Sequence, residues 1–159
     1  WYPCNKGGSY RKWYGNRENV MDFSVSGQLE MKKQSGFRPV SLDDQFRPSI
    51  SWSDVTSDRN SFRANGGHSL FEHAGSCAFI ADDNLLPLIA YLNSSAASVM
   101  LKMINPTLNC NAGVVSRLPL LGLGEEGRIS SMAELAIELS KTDWDLLETS
   151  WDFKRSPLV

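Results

Sequence analysis

The chain has 159 residues, 42% of them hydrophobic, enough for one domain of ordinary size with a substantial core. Its net charge of −2 conceals an asymmetry: residues 1–65 carry ten Lys+Arg against seven Asp+Glu, and residues 66–159 six against eleven, so only the first half suits a polyanion. Three scattered cysteines without a CxxC pair exclude a disulfide framework and a ribbon-type zinc site, and the apolar stretches are too broken to cross a bilayer, which points to a cytoplasmic protein with no membrane partner.

The opening "WYPCNKGGSYRKWYGNR" (1–17) contains four cations, five aromatic rings, a Gly-Gly pair and no acid. Its interleaved rings and charges are unlike a secretory signal, and a first residue of Trp1 rather than Met points to a processed protein or, by preference, a piece cut from a longer one. Lys6, Arg11, Lys12 and Arg17 supply charge suited to phosphates. Gly7-Gly8 permits close backbone approach, and Tyr10, Trp13 and Tyr14 can stack. The alternative is an arm whose rings pack on the rest of the fold while its charges are solvated.

Residues 18–50 form a loop-rich start with β-prone pieces "NVMDFSV" and "GQLEMKK" around a Ser26-Gly27 turn, which predicts a hairpin. "SISWSDV" (49–55) alternates like a half-buried strand around Ile50, Trp52 and Val55, with Trp52 expected in the core. "FRANGGHSLFEHAGSCAFIA" holds three strand-sized pieces broken at Gly66-Gly67 and Ala74-Gly75, the second break being the better hairpin candidate.

The period becomes helical at Asp83. "DDNLLPLIAYL" starts with acids, places Pro87 in its first turn and gathers Leu85, Leu88, Ile89 and Leu92 on one face. Asn93-Ser94-Ser95 ends it and caps a second helix, "AASVMLKMI", which stops at Asn105-Pro106. "NAGVVSRLPLL" returns to strand composition. "SMAELAIELSK" and "TDWDLLETSWDF" predict two more helices, opened by Ser131 with Glu134 and by Thr142 with Asp145.

Other motifs carry little chemistry. "GLGEEG" (122–127) satisfies GxGxxG, but Glu125 and Glu126 would oppose a phosphate and no βαβ unit surrounds it, so it reads as a connection. "NPTL" (105–108) is similar to the Asn-Pro-Pro-aromatic motif of amino-methyltransferases, but Thr107 and Leu108 replace the second proline and the ring, so it reads as a helix stop. His68, Glu72, His73 and Cys77 lack a recognised metal spacing, and nothing can be assigned a catalytic role.

"NKGGSYRKWYGN" (5–16) resembles the NKGG-x-x-RKWYGN signature of the BREX phage-defence adenine methyltransferases, the PglX family. "ISWSDV" (50–55), "YLNSSAASVMLKMINPTLN" (91–109), "VSRLPL" (115–120) and "SKTDWDLLETSWDFKRSPL" (140–158) resemble further family segments in the same order. The resemblance implies the target-recognition part of an S-adenosylmethionine-dependent enzyme that methylates adenine N6 in DNA. The catalytic loop and the S-adenosylmethionine fold would lie upstream, so this fragment would be inert alone and hold no cofactor. Stretch 22–44 is shorter and less acidic than the family pattern.

The reading is an α+β fold: a twisted, mostly antiparallel sheet or partial barrel from about 18–80 and 112–120, packed on helices from 84–104 and 131–150. Residues 1–130 would form the target-recognition domain with arm 1–17, and residues 131–159 a C-terminal helical appendage. Partners would be double-stranded DNA and the upstream methyltransferase domain. Lys6, Arg11, Lys12, Arg17, Lys32 and Lys33 are expected at phosphates, Tyr14 in packing or stacking, and Arg38, Ser51, Ser53, Arg59 and Arg63 at base edges or their rim. A second reading makes the acidic C-terminal helices, with Trp144 and Trp151, a docking surface for other defence-complex subunits; packing of both rings on the body is the alternative.

Overall fold

A computed structural model describes residues 1–38, 41–56, 59–80, 82–120 and 126–156. The fold is mixed α+β, with two three-stranded sheets and five helices among the described residues and no closed barrel. Strands β1 (Tyr2–Asn5), β2 (Val20–Met21) and β5 (Leu70–Phe71) make the first sheet, with β1 antiparallel to β2 and parallel to β5. Strands β3 (Pro48–Ser51), β4 (Arg63–Gly66) and β6 (Cys77–Ala78) make the second, antiparallel throughout, with β3 in the middle. Trp13 joins the free edge of β4 as a parallel bridge to Arg63, so the opening arm belongs to both sheets.

The main core lies between the second sheet and the helices. Ile50, Trp52, Phe62, Ile89, Leu92, Leu101 and Ala133 are all buried there. The indole of Trp52 meets Phe62 at 5.5 Å between ring centroids and donates its Nε1–H to the Cys110 carbonyl at 2.6 Å, which satisfies the one polar atom of a ring that burial would otherwise penalise. As a central strand, β3 is buried at Ser49, Ile50 and Ser51 alike, so the half-buried alternation expected of it is absent, and Val55 is exposed.

Helices α2 (Asp82–Leu92) and α3 (Ser95–Ile104) stand where the period placed them and turn through 68° at their junction. Ser94 caps α3, accepting from Ala97 N–H. Because α2 begins at Asp82, Pro87 sits inside the helix rather than in its first turn, and the carbonyl four residues earlier lacks its usual donor. No single helix among the described residues is long and apolar enough to cross a membrane.

Four local expectations are corrected. The Ser26-Gly27 hairpin is helix α1 (Val25–Lys33): Ser24 accepts from Gly27 N–H, and Lys32 and Lys33 occupy the last turn, so capping and the helix dipole outweigh scattered β-branched residues. No hairpin forms at Ala74-Gly75, because β5 pairs with β1 in one sheet and β6 with β3 in the other. The strand expected over 112–120 is replaced by a short helix α4 (Ala112–Val115), started by the Asn111 side chain on Val114 N–H. The two C-terminal helices are one, α5 (Glu126–Trp144), followed by turns; the Ser131 and Thr142 hydroxyls donate to the carbonyls of Gly127 and Glu138 one turn back, as mid-helix hydroxyls do, and cap nothing. Residue 131, the expected start of the appendage, lies within α5, whose Ala133 is fully buried in the main core. The glycine-rich motif falls largely on 121–125, outside the described residues.

Burial raises the thiols of Cys4, Cys77 and Cys110 from an ordinary value near 9 to about 11. Above pH 9 the unfolded chain releases protons that the folded chain keeps, so stability falls as pH rises from about 9 towards 11. Arg63, lowered by burial to about 10, acts in the opposite direction above that pH. Urea unfolding is expected to show a midpoint that drops between about pH 8.5 and pH 10, a window in which three thiols outweigh one guanidinium; a flat profile would contradict the buried, protonated thiols.

Candidate nucleic-acid interface

The opening arm is fastened along its length. Asn5 is buried and its Nδ2 donates to the Gly75 carbonyl at 3.3 Å. Gly7 and Gly8 have φ of +85° and +135°, and a Cβ on Gly7 would lie 3.0 Å from the Ala74 carbonyl oxygen and 3.2 Å from Ser53 Oγ. The pair therefore serves a close approach to the molecule's own backbone, sealed by Ser53 Oγ donating to the Gly8 carbonyl at 2.9 Å.

The cations that follow are also used internally. The guanidinium of Arg11 pairs with Asp143 Oδ2 at 2.7 Å and lies 5.0 Å from the centroid of Trp144. Lys12 Nζ donates to the Asn93 carbonyl at 2.7 Å, just past the C-terminus of α2 where the dipole favours a cation. Tyr14 is buried and its hydroxyl accepts from Arg17 Nη1 at 2.8 Å, with the guanidinium stacked on its ring. Gly15, at φ +126°, lies beneath this layer: a Cβ there would meet Arg11 Cδ at 2.2 Å and Trp144 Cε3 at 2.9 Å. Of the four cations, Lys6 alone is fully on the surface.

The remaining predicted residues divide by depth. Ser51 and Arg63 are 0% and 1% exposed, beneath the surface and not on a rim. The Arg63 guanidinium donates to Ser61 Oγ at 3.3 Å and the Arg11 carbonyl at 3.4 Å, a neutral oxygen cage in which burial lowers its pKa to about 10. Lys33 pairs with Glu30 at 2.6 Å on the exposed face of α1. Arg59 is exposed, with its guanidinium 5.6 Å from the centroid of Tyr10.

Two clefts are bordered by four of the outward-facing cations. One, of about 230 Å³, is bounded by Arg59 and Lys102 with Asn60, Ser98, Asn105 and Thr107; Asn60 Oδ1 is buried without a hydrogen-bond partner. The other, of about 570 Å³, has Lys32 and Arg38 beside Phe23, Met31, Phe37 and Phe71. Glu72 and His73 line the larger cleft, the next residue, Ala74, abuts Gly7, and Ser53 bonds Gly8, so the turn at 72–75 and the Gly-Gly loop lie between Lys32/Arg38 and the Tyr10–Arg59 pair.

Sequence reasoning missed Asn60, Lys102, Asn105 and Thr107. "NPTL" is indeed a helix stop, with Asn105 N–H bonded to the Leu101 carbonyl and Asn105 Oδ1 accepting from the Thr107 N–H and hydroxyl. A motif read only as punctuation gave no sign that it also borders a polar cleft.

A fastened basic arm, two small sheets and two clefts bordered by exposed cations make up this α+β module. No family model matches the chain. Over its whole length it is 32% identical to the adenine-specific methyltransferase BrxX of Escherichia coli O9:H4 (strain HS) and 34% identical to the adenine-specific methyltransferase PglX of Lacticaseibacillus casei (strain Zhang). The match takes up 13% of the first relative and 14% of the second. The chain is thus homologous to a segment of the adenine-specific methyltransferases BrxX and PglX.

The fastening of the arm predicts a stability phenotype. Arg11→Ala removes one ion pair and one cation–π contact and is expected to cost about 1 kcal/mol. Gly15→Ala forces a side chain into a glycine-only conformation against two neighbours and is expected to cost about 3 kcal/mol or more. Urea unfolding of both variants checks the order; equal, negligible losses would mean the arm is not seated on Trp144.

Proposed function

We propose that the chain is the DNA-contacting, target-selecting part of an adenine-specific DNA methyltransferase of a phage-defence system. The observation that supports this reading is homology, over the whole of this chain, to a segment of two proteins named as adenine-specific methyltransferases. A methyltransferase that acts on a base must extrude it and must also choose which base to extrude, and the choice rests on contacts to flanking phosphates and base edges. Lys6, Lys32, Arg38, Arg59 and Lys102 are exposed cations beside surfaces that a phosphate backbone can reach. Asn60, Asn105 and Thr107 shape the polar wall beside Arg59 and Lys102, with the Asn105 and Thr107 side chains bonded to each other. Transfer itself falls to other segments of the protein, where S-adenosylmethionine supplies the methyl group; this chain's residues bind and orient the duplex.

Arg11, Lys12 and Arg17 fit this scheme as residues that build the surface, because their donors are already committed. Removing them would confound folding with binding. The informative variants are Lys32→Ala/Arg38→Ala and Lys6→Ala/Lys102→Ala, exposed positions away from the core. Titration of a random-sequence duplex across a salt series is expected to give affinity that falls linearly in log–log form. Each double variant should make the slope shallower by about 2, near 0.9 per phosphate contact. Affinity that ignores salt, or that neither double variant alters, would overturn the assignment.

A further inference from the structure

Helix α5 buries one side and leaves a second apolar stripe outside. Ala133 and Trp144 face inward at 0% and 3% exposure, whereas Met132, Leu135 and Leu139 are 64%, 57% and 63% exposed. Their spacing of three and then four residues puts them on one strip of the helix. Single exposed apolar residues are ordinary on protein surfaces, but a contiguous strip at helical spacing marks a contact surface.

The charge beside the strip specifies its chemistry. Along the strip itself, residues 129–140, two carboxylates stand against no cation, whereas Lys141, Lys154 and Arg155 gather with Asp145 and Asp152 around a cleft of about 380 Å³ past its C-terminal end. Asp143 is committed to Arg11, and Asp145 and Asp152 share Lys141. Glu134 and Glu138, exposed one turn apart in the row next to Leu135 and Leu139, have no cation among the described residues. Two copies packed strip to strip would bring these acidic rows towards each other, whereas an amphipathic helix flanked by Lys or Arg would neutralise them.

We propose that the Met132–Leu135–Leu139 strip docks an amphipathic helix with basic flanks, supplied by the larger part of the methyltransferase polypeptide. In the relatives the matching segment takes up only 13–14% of the length, so most of the polypeptide is available to provide such a helix. The surface shares no residue with the two cationic clefts, and it stands or falls independently of DNA binding.

The test uses this chain with labelled methionine methyls, in which Met132 is assigned by Met132→Leu and observed by NMR. Two synthetic amphipathic helices with the same leucine stripe, one flanked by lysine and the other by glutamate, serve as probes. The lysine-flanked peptide is expected to move the Met132 signal and to bind at least about tenfold tighter than its acidic counterpart. Leu135→Gln/Leu139→Gln, which changes only exposed positions, should lower that affinity by about tenfold or more. Equal affinities, no binding, or a Met132 signal that stays still would overturn the proposal. Self-association in sedimentation that the same double variant abolishes would assign the strip to a second copy and overturn it as well.

Discussion

The buried amide of Asn93 is the joint on which the rest of this structure is assembled. Its Oδ1 accepts from Phe62 N–H at 3.1 Å and its Nδ2 donates to the Phe62 carbonyl at 2.9 Å, so the side chain imitates a neighbouring strand for the residue that leads into β4. The Phe62 carbonyl also accepts from Trp13 N–H, and the Asn93 carbonyl accepts from Lys12. Arm, second sheet and helix pair therefore converge on one residue at the α2–α3 break. Aspartate could not donate here, and glutamine is a methylene too long to meet both groups from the same backbone position. Losing this side chain would leave a buried N–H and a buried carbonyl short of partners.

That joint explains what became of the basic opening. A carbonyl at the end of a helix and a phosphate oxygen are both acceptors, so a lysine or arginine in sequence carries no mark of which it will meet. Lys12 meets the first kind, Arg11 meets Trp144 and Asp143, and Arg17 meets Tyr14. Trp13 and Tyr14 are packed rather than displayed for stacking, whereas Trp1, Tyr2 and Tyr10 are exposed. The length of the signature reflects this service, since nearly every residue from Asn5 to Asn16 has a specific partner or a backbone angle that restricts its side chain.

Sequence was informative where long-range packing and local chemistry agreed. Trp52 in the core, the two helices either side of Asn93, the stop at Asn105-Pro106 and the burial of Trp144 follow from periodicity, turn residues and ring size. It misled where a single side chain decides the matter. Ser24 and Asn111 start helices in segments whose valines suggest strands, and the serine and threonine read as caps lie inside α5. Pairing was not legible either: β5 and β6 are close in sequence yet enter different sheets, because the arm contributes β1 to one of them from a distant position. The same limit applies to the site, where Lys102 and Asn105 adjoin Arg59 only through the packing of α3.

The charge asymmetry of the chain acquires a structural meaning from this arrangement. Part of the positive charge in the first half is consumed in holding the arm, and Lys32, Arg38 and Arg59 face outward at two clefts. The negative charge of the second half is concentrated along α5 and the turns that follow it, beside an apolar strip that the fold leaves uncovered. Under the proposed function, a polyanion would be attracted by one surface and repelled by the other, which would orient it before any specific contact forms. A basic, amphipathic segment would experience the reverse. If both proposals hold, the two surfaces would sort two ligands of opposite charge, and a duplex on the clefts and a helix on α5 would not compete for the same side chains.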